Sequence, residues 1–242
     1  MERSEVSGRS AYDALAPYYR QYAQRKSAYL NAVDQFVLSR VPSGAKSLLD
    51  IGAGDGVRGM GLARQLRINY TVLCDSSAEM AVHCREQSPN EVWESAVEEL
   101  PDTEARFDVI TCLWNTLGHL AGRAYRVKAL TKMRNLLTDR GRIFLDVNNR
   151  HNAAGYGWLR VFARILVDAL HFDERRGNAT FDWKIGDRVF SGTGHLFTPR
   201  EIESIIKESG LSILERKAID YSTGAFSDSL LKGQLVYMVA QH

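Results

Sequence analysis

Short apolar runs alternate with amphipathic stretches through most of the chain, beginning at residue 47. A short apolar run bounded by turn residues indicates a buried strand, whereas apolar residues spaced three and four apart indicate a helix. Strands that alternate with helices at this spacing pair in parallel, so the sequence predicts an α/β fold with a doubly wound, mostly parallel sheet of seven strands. The predicted strands are 47–51, 70–74, 91–94, 107–113, 142–147, 211–219 and 233–240, and the predicted helices are 28–41, 57–67, 77–87, 123–138 and 199–209.

Two parts of the chain stand outside this alternation. The N-terminal 45 residues contain a predicted helix that Pro42 and Gly44 end. Residues 150–195 carry many aromatic residues, several glycines and a predicted hairpin that turns at 185–187. We interpret this stretch as an insertion that covers the site. The single domain 1–242 therefore divides into an N-terminal helical segment 1–45, a core 46–149, the insertion 150–195 and a C-terminal helix with two strands, 196–242.

Composition narrows the class of protein. The chain has 242 residues, 25% of them charged, and a formal net charge of +2, so neither nucleic acid nor an anionic membrane is an expected partner. No apolar run is long enough to span a bilayer, and the polar start MERSEVSGRS lacks the apolar core of a secretory signal. Cys74, Cys84 and Cys112 lack metal-ligand spacing, so we expect reduced thiols in the cytoplasm and no metal. A homodimer stays open as an alternative to a monomer.

The segment KSLLDIGAGDG places a strand directly before a glycine-rich turn and a helix. Glycines in such a turn let the backbone approach a ligand closely. A dinucleotide site favours G-x-G-x-x-G, but here Gly52, Gly54 and Gly56 are followed by Val57. Asp50 precedes the turn, where an acid would repel a pyrophosphate and suits a cationic amino-acid group. Both features favour a nucleoside without phosphates over NAD.

Asp75 ends the second predicted strand, 19 residues beyond Gly56. A carboxylate at that strand end can accept hydrogen bonds from both hydroxyls of a ribose. The same aspartate could instead satisfy backbone N–H groups at the start of the next helix. The spacing favours the ribose interpretation.

With these features the sequence resembles the class I S-adenosylmethionine-dependent methyltransferases over roughly residues 10–150. The resemblance lies in LLDIGAGDG (48–56), CDSSAEM (74–80) and ESAVEELP (94–101), where Ala96 replaces an aspartate that often contacts the adenine amine. It implies S-adenosylmethionine as cofactor, Asp75 on the ribose and Met80 on the adenine. The cofactor contacts that it implies are Tyr12, Tyr19, Arg25, Asp50, Gly52, Ala53, Gly54, Asp75, Ser76, Met80, Ala96, Val97, Glu98 and Leu113.

Two further segments are similar to small-molecule N-methyltransferases of the glycine and amino-sugar type. In FDVITCLWNTLGHL (107–120), Asn115 and His119 match an Asn and a His that follow the fourth strand in those enzymes. The start YDALAPYYRQY (12–22) resembles a lid that folds over the cofactor, and Arg25 matches an arginine that pairs with the cofactor carboxylate. The resemblance implies catalytic roles for His119, Asn115 and Tyr19.

The methyl acceptor is expected between the ends of the fourth and fifth strands and the insertion. The many aromatic residues there favour a closed pocket for a small molecule over a groove for a polymer. Candidate acceptor contacts are Trp114, Asn148, Arg150, Tyr156, Trp183, Arg188, His195 and Tyr221.

The leading hypothesis is methyl transfer from S-adenosylmethionine to a small molecule, most readily at an amine nitrogen. A small-molecule O-methyltransferase is the alternative within the class, and a basic His119 would favour it. A nicotinamide-dependent oxidoreductase and a non-catalytic cofactor-binding regulator are the alternatives from other classes.

Overall fold

A central eight-stranded sheet organises the computed structural model of the chain. The structure describes residues 8–101, 103–185 and 188–242, and leaves out the side chains of 8–11, 183–185, 188 and 190. The strands are β1 (Ser47–Ile51), β2 (Tyr70–Asp75), β3 (Glu91–Glu94), β4 (Phe107–Cys112), β5 (Leu137–Val147), β6 (Asn178–Ile185), β7 (Arg188–His195), β8 (Leu211–Ile219), β9 (Phe226–Ser227) and β10 (Gln234–Gln241). The helices are α1 (Gly8–Leu15), α2 (Tyr19–Gln24), α3 (Ser27–Leu38), α4 (Val57–Leu66), α5 (Ala78–Glu86), α6 (Arg123–Asn135), α7 (Ala153–Tyr156), α8 (Trp158–Leu170) and α9 (Pro199–Glu208).

The order of the strands is β3-β2-β1-β4-β5-β10-β8-β9. The first five pair in parallel, and β10 runs antiparallel between β5 and β8. This order confirms the predicted doubly wound, mostly parallel α/β fold. The added strand is the two-residue β9, which pairs with the edge of β8 and is too short to produce a hydrophobic period.

Both faces of the sheet are covered by helices. Strand β1 shows the effect of this on the sequence, because the residues next to Asp50 are apolar. Leu48 belongs to a buried cluster with Phe36 of α3 and Leu62 of α4, whereas Leu49 belongs to a second cluster on the opposite face. Neighbouring residues of a strand point to opposite faces, so a strand between two helical layers needs apolar side chains throughout. Truncating Leu49 to alanine would cost about 2–5 kcal/mol of folding free energy.

The carboxyl ends of the parallel strands gather the loops that carry the site. Above them, α1 and α2 pack through Leu15, Tyr12 and Tyr19, with Phe181 of the β6–β7 hairpin in the same small cluster. The hairpin is confirmed in its predicted place and forms a separate two-stranded sheet. The N-terminal helices and the insertion therefore meet over the same edge of the sheet.

Two elements differ from their predicted form. Strand β5 begins at Leu137, because the stretch before Gly141 continues the strand through a register shift instead of ending α6. Helix α8 was not predicted, since the aromatic residues and glycines around it obscured its period. Its apolar residues mostly face outward, with Leu159 and Leu170 both nearly 90% exposed. Within the described ranges, no helix is long and apolar enough to cross a membrane.

Candidate functional site

The glycine turn after β1 is held by backbone geometry that requires its glycines. Gly52, Gly54 and Gly56 all have positive φ, at 69°, 57° and 73°. The N–H groups of Gly52 and Ala53 donate to the Cys74 carbonyl at 2.8 and 3.0 Å, which fixes the turn to β2. A Cβ on Gly54 would lie 2.6 Å from the Tyr19 hydroxyl oxygen. The turn therefore admits close approach from above only because side chains are absent.

Asp75 lies at the end of β2, beside this turn. Its Oδ2 accepts a hydrogen bond from the Gly54 N–H at 2.9 Å and its Oδ1 accepts one from the Ser77 N–H at 3.0 Å. Burial raises the pKa of Asp75, and the backbone N–H groups oppose that rise. The cap of α5 is Ser77, whose hydroxyl oxygen accepts from the Met80 N–H at 3.1 Å. Because a carboxylate oxygen has two lone pairs, Asp75 can still accept hydrogen bonds from a ligand.

A cavity of about 380 Å³ opens between Asp75 and the turn that follows β3; we call it the nucleoside cavity. Glu98 lines it, and its Oε2 is buried without a hydrogen-bond partner in the described part of the chain. An unsatisfied buried acceptor is costly, and an amino group such as that of adenine would satisfy it. The predicted cofactor contacts that line this cavity are Tyr12, Tyr19, Gly52, Gly54, Asp75, Ser76, Ala96, Val97, Glu98 and Leu113.

A second cavity of about 420 Å³ lies on the other side of the glycine turn; we call it the zwitterion cavity. Asp50 lines it and accepts a hydrogen bond from the Thr111 hydroxyl at 2.7 Å, and burial raises the pKa of Asp50 to about 6. Arg58 also lines it, and its Nε donates to Asp34 at 2.6 Å. The Nη2 of Arg58 is buried and has no partner among the described residues. Carboxylates beside a guanidinium suit the ammonium and carboxylate of an amino acid.

Two predicted cofactor contacts lie elsewhere. Arg25 is exposed at the end of α2 and lines neither cavity, whereas Arg58 and Arg20 both line the zwitterion cavity. Met80 of α5 is fully buried and also lines neither cavity. Arg58 was missed, although its place in the first turn of the helix after the glycines was a usable signal, because anions bind at helix N-termini.

A third cavity, of about 480 Å³, lies under the N-terminal helices and the hairpin; we call it the acceptor cavity. Tyr19 and Trp114 line all three cavities, so they mark the point where the three meet. Of the predicted acceptor contacts, those that line the cavity are Trp114, Asn148, Tyr156 and Tyr221. Lining residues that the sequence did not single out include Tyr22, Lys26, Asn152, Phe181 and Gln234.

The residues after β4 are held in a left-handed conformation. Trp114 and Asn115 have φ of 57° and 63°, which is costly for residues with a side chain. The buried carboxylate of Asp146 accepts from the Trp114 N–H and from the Tyr29 hydroxyl, and burial raises its pKa. Asn115 Oδ1 accepts from the Asn148 N–H at 2.9 Å. These bonds fix the strained turn at the meeting point of the cavities.

His119 sits between the nucleoside and acceptor cavities. Its Nδ1 lies 3.1 Å from the Thr193 carbonyl, which can only accept, so Nδ1 carries a proton. Its Nε2 lies 3.0 Å from the Tyr12 hydroxyl. Burial lowers the pKa of His119, so the ring is neutral at pH 7 and Nε2 accepts the Tyr12 hydrogen.

Four predicted acceptor contacts do not reach the acceptor cavity or fall outside the described part. His195 is buried and its ring nitrogens pair with Glu201 and Asn178 at 2.7 and 2.8 Å, so it joins the hairpin to α9. Arg150 is buried in an ion pair with Asp168 at 3.2 Å. Both predictions are corrected, because other protein groups already bind these side chains. The side chains of Trp183 and Arg188 lie outside the described residues.

Comparison with known proteins finds a match for part of the chain. Residues 49–143 match the family model of a methyltransferase domain. No curated protein matches the chain. Among described residues, no group of three or more His, Cys, Asp or Glu is arranged to hold a metal ion.

Solved structures share the fold at low sequence identity. A S-adenosylmethionine-dependent methyltransferase from Clostridium acetobutylicum has a TM-score of 0.62 at 16% identity, covering 95% of this chain and 98% of that one. CalS10, an amino pentose methyltransferase from Micromonospora echinaspora solved with S-adenosylmethionine bound, has a TM-score of 0.62 at 17% identity, with 100% of both chains covered. A putative methyltransferase from Haloferax volcanii, in complex with the Trm112 activator, has a TM-score of 0.67 at 15% identity, with 98% of both covered.

The three adjoining cavities have the chemical character that a methyltransferase domain and its fold lead us to expect. The glycine turn, Asp75 and the unsatisfied Glu98 fit a nucleoside, and the charged side chains beside the turn fit an amino-acid group. Residues 49–143 therefore match a methyltransferase domain, the chain has the fold of S-adenosylmethionine-dependent methyltransferases, and S-adenosylmethionine is the cofactor that such a domain uses.

Proposed function

We propose that this protein transfers the methyl group of S-adenosylmethionine to an amine nitrogen of a small molecule. The observation that carries the proposal is the meeting of three cavities at Tyr19 and Trp114. Asp75 and Glu98 would hold the adenosine part of the cofactor, and Arg58 and Asp50 its amino-acid end. The acceptor cavity would then adjoin the part of the cofactor that carries the sulfonium methyl group. The amino pentose methyltransferase among the structural neighbours supports an amine acceptor.

S-adenosylmethionine supplies a sulfonium methyl group that is already activated for displacement by a nucleophile. The protein has to align the nucleophile and exclude water. The aromatic rings of Tyr19, Trp114 and Tyr22 pack against one another at the junction, with Tyr22 stacked on Trp114 at 5.4 Å between centroids. Aromatic faces stabilise a nearby cation, so these rings suit a sulfonium group.

The state of His119 favours an amine over a hydroxyl acceptor. The described residues that line both the nucleoside and the acceptor cavity are Tyr12, Tyr19, Trp114 and His119, and only His119 among them has a basic lone pair. The Tyr12 hydrogen occupies that lone pair. A neutral amine carries its own lone pair and needs little help, whereas a hydroxyl must lose its proton during transfer.

Binding measurements test the cofactor. We expect S-adenosylhomocysteine to raise the melting temperature of the protein and to bind measurably in calorimetry, and we expect NAD to do neither. Stabilisation by NAD alone would instead support the oxidoreductase. An Asp75→Ala protein should bind S-adenosylhomocysteine at least about tenfold more weakly, since it loses a buried charged acceptor; Asp139→Ala, at an exposed acid of β5, is the matched control.

Methyl transfer itself is tested by incubating the protein with labelled S-adenosylmethionine and a panel of small amines and alcohols. We expect label on nitrogen. An oxygen acceptor would need the Nε2 of His119 as its base, and this nitrogen becomes available only if the Tyr12 hydroxyl moves away from it. An oxygen acceptor would be identified by label on hydroxyl compounds, together with loss of at least about a hundredfold in kcat for His119→Gln.

A further inference from the structure

Three buried amide side chains line the acceptor cavity with their oxygen atoms already engaged by the backbone. They are Asn115, Asn152 and Gln234, which are 4%, 3% and 8% exposed. A backbone N–H can only donate, so it fixes which end of each amide is the oxygen. The N···O distances are 2.9 Å from Asn148 N to Asn115 Oδ1, 3.2 Å from Gly155 N to Asn152 Oδ1 and 2.6 Å from Asn149 N to Gln234 Oε1.

The opposite end of each amide is therefore an NH₂ group that can only donate. Within the described part of the chain, the amino groups of Asn115, Asn152 and Gln234 have no hydrogen-bond partner, and all three residues line the cavity. Flipping any one of them would set its NH₂ against a backbone N–H. The wall therefore presents three donors of fixed orientation.

The three amides gather on one stretch of backbone. Their oxygens accept from N–H groups of residues 148 and 149, which directly follow β5, and of residue 155 in α7. Lys26 is the one cationic side chain that lines this cavity among the described residues. The one carboxylate is that of Asp182, which is exposed and already accepts from the Ser191 hydroxyl at 2.7 Å. Water screens the charge of an exposed carboxylate, so Asp182 repels an anion only weakly. The three buried donors therefore favour ligand groups that only accept hydrogen bonds.

We infer that the methyl acceptor carries an oxyanion, a carboxylate or a phosphate, which binds to the amino groups of Asn115, Asn152 and Gln234. Lys26 compensates its charge. This inference rests on the proposed function and narrows its substrate class to amines that carry an oxyanion. An alcohol hydroxyl fits the wall less well, because its own hydrogen would find no acceptor among these three groups.

Paired ligands test the inference on the full-length protein saturated with S-adenosylhomocysteine. The carboxylate pairs are glycine with glycinamide, 4-aminobutyrate with its amide and 4-aminobenzoate with its amide; the phosphate pair is 2-aminoethyl phosphate with ethanolamine. We expect at least one ligand that carries the oxyanion to bind at least about tenfold more tightly in calorimetry than its partner without the oxyanion, as for a charged hydrogen bond. Which type of pair shows the preference identifies the oxyanion.

Isosteric variants link that preference to the amides. Gln234→Glu and Asn152→Asp each replace a donor by an anionic oxygen, and either should abolish the preference at unchanged affinity for S-adenosylhomocysteine. Gln35→Glu makes the same change at an exposed site on α3 and should leave the preference intact. The inference would be overturned if the partners without the oxyanion bind as tightly as those that carry it, or if no ligand with an oxyanion binds at all. Failure of S-adenosylhomocysteine to bind the unaltered protein would instead overturn the proposed function.

A different observation concerns the outer face of α8. Its apolar residues point away from the body of the protein, while Val161 packs inward. The exposed residues of α8 and the loop after it are Trp158, Leu159, Phe162, Leu166, Val167, Leu170 and Phe172. Together they expose an apolar area on the order of 900 Å², which is what one partner contributes to a standard stable interface.

We propose that this face binds the same face of a second copy of the chain. Leu159 and Leu170, at opposite ends of α8, are 89% and 88% exposed. In an antiparallel pair of α8 helices related by a twofold axis, Leu159 of one copy would pack against Leu170 of the other. Leu166 lies on the same side of the helix, between these two leucines. Residues 158–176 contain four arginines against three carboxylates, so the surface lacks the excess of basic residues that an anionic membrane attracts.

Sedimentation measurements test this proposal. We expect a dimer at tens of micromolar protein, and monomers for Leu166→Glu at an unchanged melting temperature. Val82→Glu replaces a similarly exposed apolar residue on α5 and should remain dimeric. An unaltered protein that stays monomeric at about 100 micromolar, or a Leu166→Glu protein that still dimerises, would overturn the proposal.

Discussion

The Tyr12 hydroxyl and the Nε2 atom of His119 lie 3.0 Å apart, at the boundary between the nucleoside and acceptor cavities. Their rings meet edge to face, with centroids 5.3 Å apart. This hydrogen bond joins α1 to the turn after β4. It therefore connects the N-terminal helices to the boundary between the two cavities, where His119 itself lies. The same bond keeps the basic nitrogen of His119 occupied.

Removing the Tyr12 hydroxyl should loosen this connection. We expect Tyr12→Phe to weaken S-adenosylhomocysteine binding about fivefold, because a buried hydrogen bond contributes about 1 kcal/mol. Isothermal calorimetry measures the change. Tyr125→Phe, at a half-exposed tyrosine of α6, is the control and should bind as the unaltered protein does. Equal affinity of both variants would contradict a role for Tyr12 in closing the site.

The raised pKa of Asp50 predicts a pH-dependent affinity for the cofactor. Burial raises this pKa to about 6, so the carboxyl is largely neutral at pH 5 and charged at pH 7. If Asp50 attracts the cofactor ammonium, affinity for S-adenosylhomocysteine rises as the pH increases from 5 to 7. Titration calorimetry at several pH values measures it, and Asp50→Asn should flatten the rise. The same slope in Asp50→Asn would assign it to another group.

The ionisation of Asp50 also acts on folding. Because its pKa is raised in the folded state, the folded protein binds more protons than the unfolded chain between about pH 4 and pH 6. Its contribution therefore favours folding at low pH and is lost as the pH rises through about 6. We expect Asp50→Asn to remove this loss. The free energy of unfolding at pH 7, taken relative to that at pH 4, should therefore be higher in Asp50→Asn than in the unaltered protein, as measured by urea denaturation.

The glycine turn offers a matched pair of substitutions. A Cβ on Gly54 would lie 2.6 Å from the Tyr19 hydroxyl oxygen at a φ of 57°, whereas a Cβ on Gly61 of α4 meets no atom within 4 Å. We expect Gly54→Ala to displace Tyr19 and to lower S-adenosylhomocysteine affinity at least about tenfold, because the Cβ fills the close approach. Gly61→Ala should stabilise the helix by up to about 1 kcal/mol. Chemical denaturation and calorimetry measure both.

The geometry favours Arg58, and the sequence position favours Arg25, as the residue that binds the carboxylate end of the cofactor. We expect Arg58→Met to weaken S-adenosylhomocysteine binding at least about tenfold, since the Nη2 of Arg58 is buried without a partner in the described structure. Arg25→Met should change binding less than about twofold, because Arg25 is exposed and outside the cavities. The opposite ranking would restore the assignment of Arg25 that its sequence position implied.

The Arg58 variant needs a control for the carboxylate that it leaves behind. Arg58 pairs with Asp34 at 2.6 Å, and an unpaired half-buried carboxylate destabilises a protein by itself. The double variant Arg58→Met with Asp34→Asn removes both charges. If its affinity for S-adenosylhomocysteine equals that of the unaltered protein, the loss in the single variant comes from Asp34 and not from a lost cofactor contact.

Local sequence was sufficient for the sheet and for most of the cofactor side of the site. The alternation of strands and helices, the three glycines after β1 and the acid at the end of β2 each depend on residues near one another in the chain. Their geometry follows from backbone sterics and from the rule that ligands bind at the carboxyl ends of parallel strands. The doubly wound, mostly parallel sheet could therefore be predicted from the sequence, and with the family resemblance so could most residues that line the nucleoside cavity.

The tertiary structure decided which polar side chains remain free to bind a ligand. Gln234 meets the backbone of residue 149 from 85 positions away, and His119 meets Tyr12 across 107 positions. His195 has the residue type of a ligand contact, yet Glu201 and Asn178 occupy both of its nitrogens. A polar group can bind a ligand only where no distant protein group already satisfies it, and sequence spacing carries no information about such distant partners.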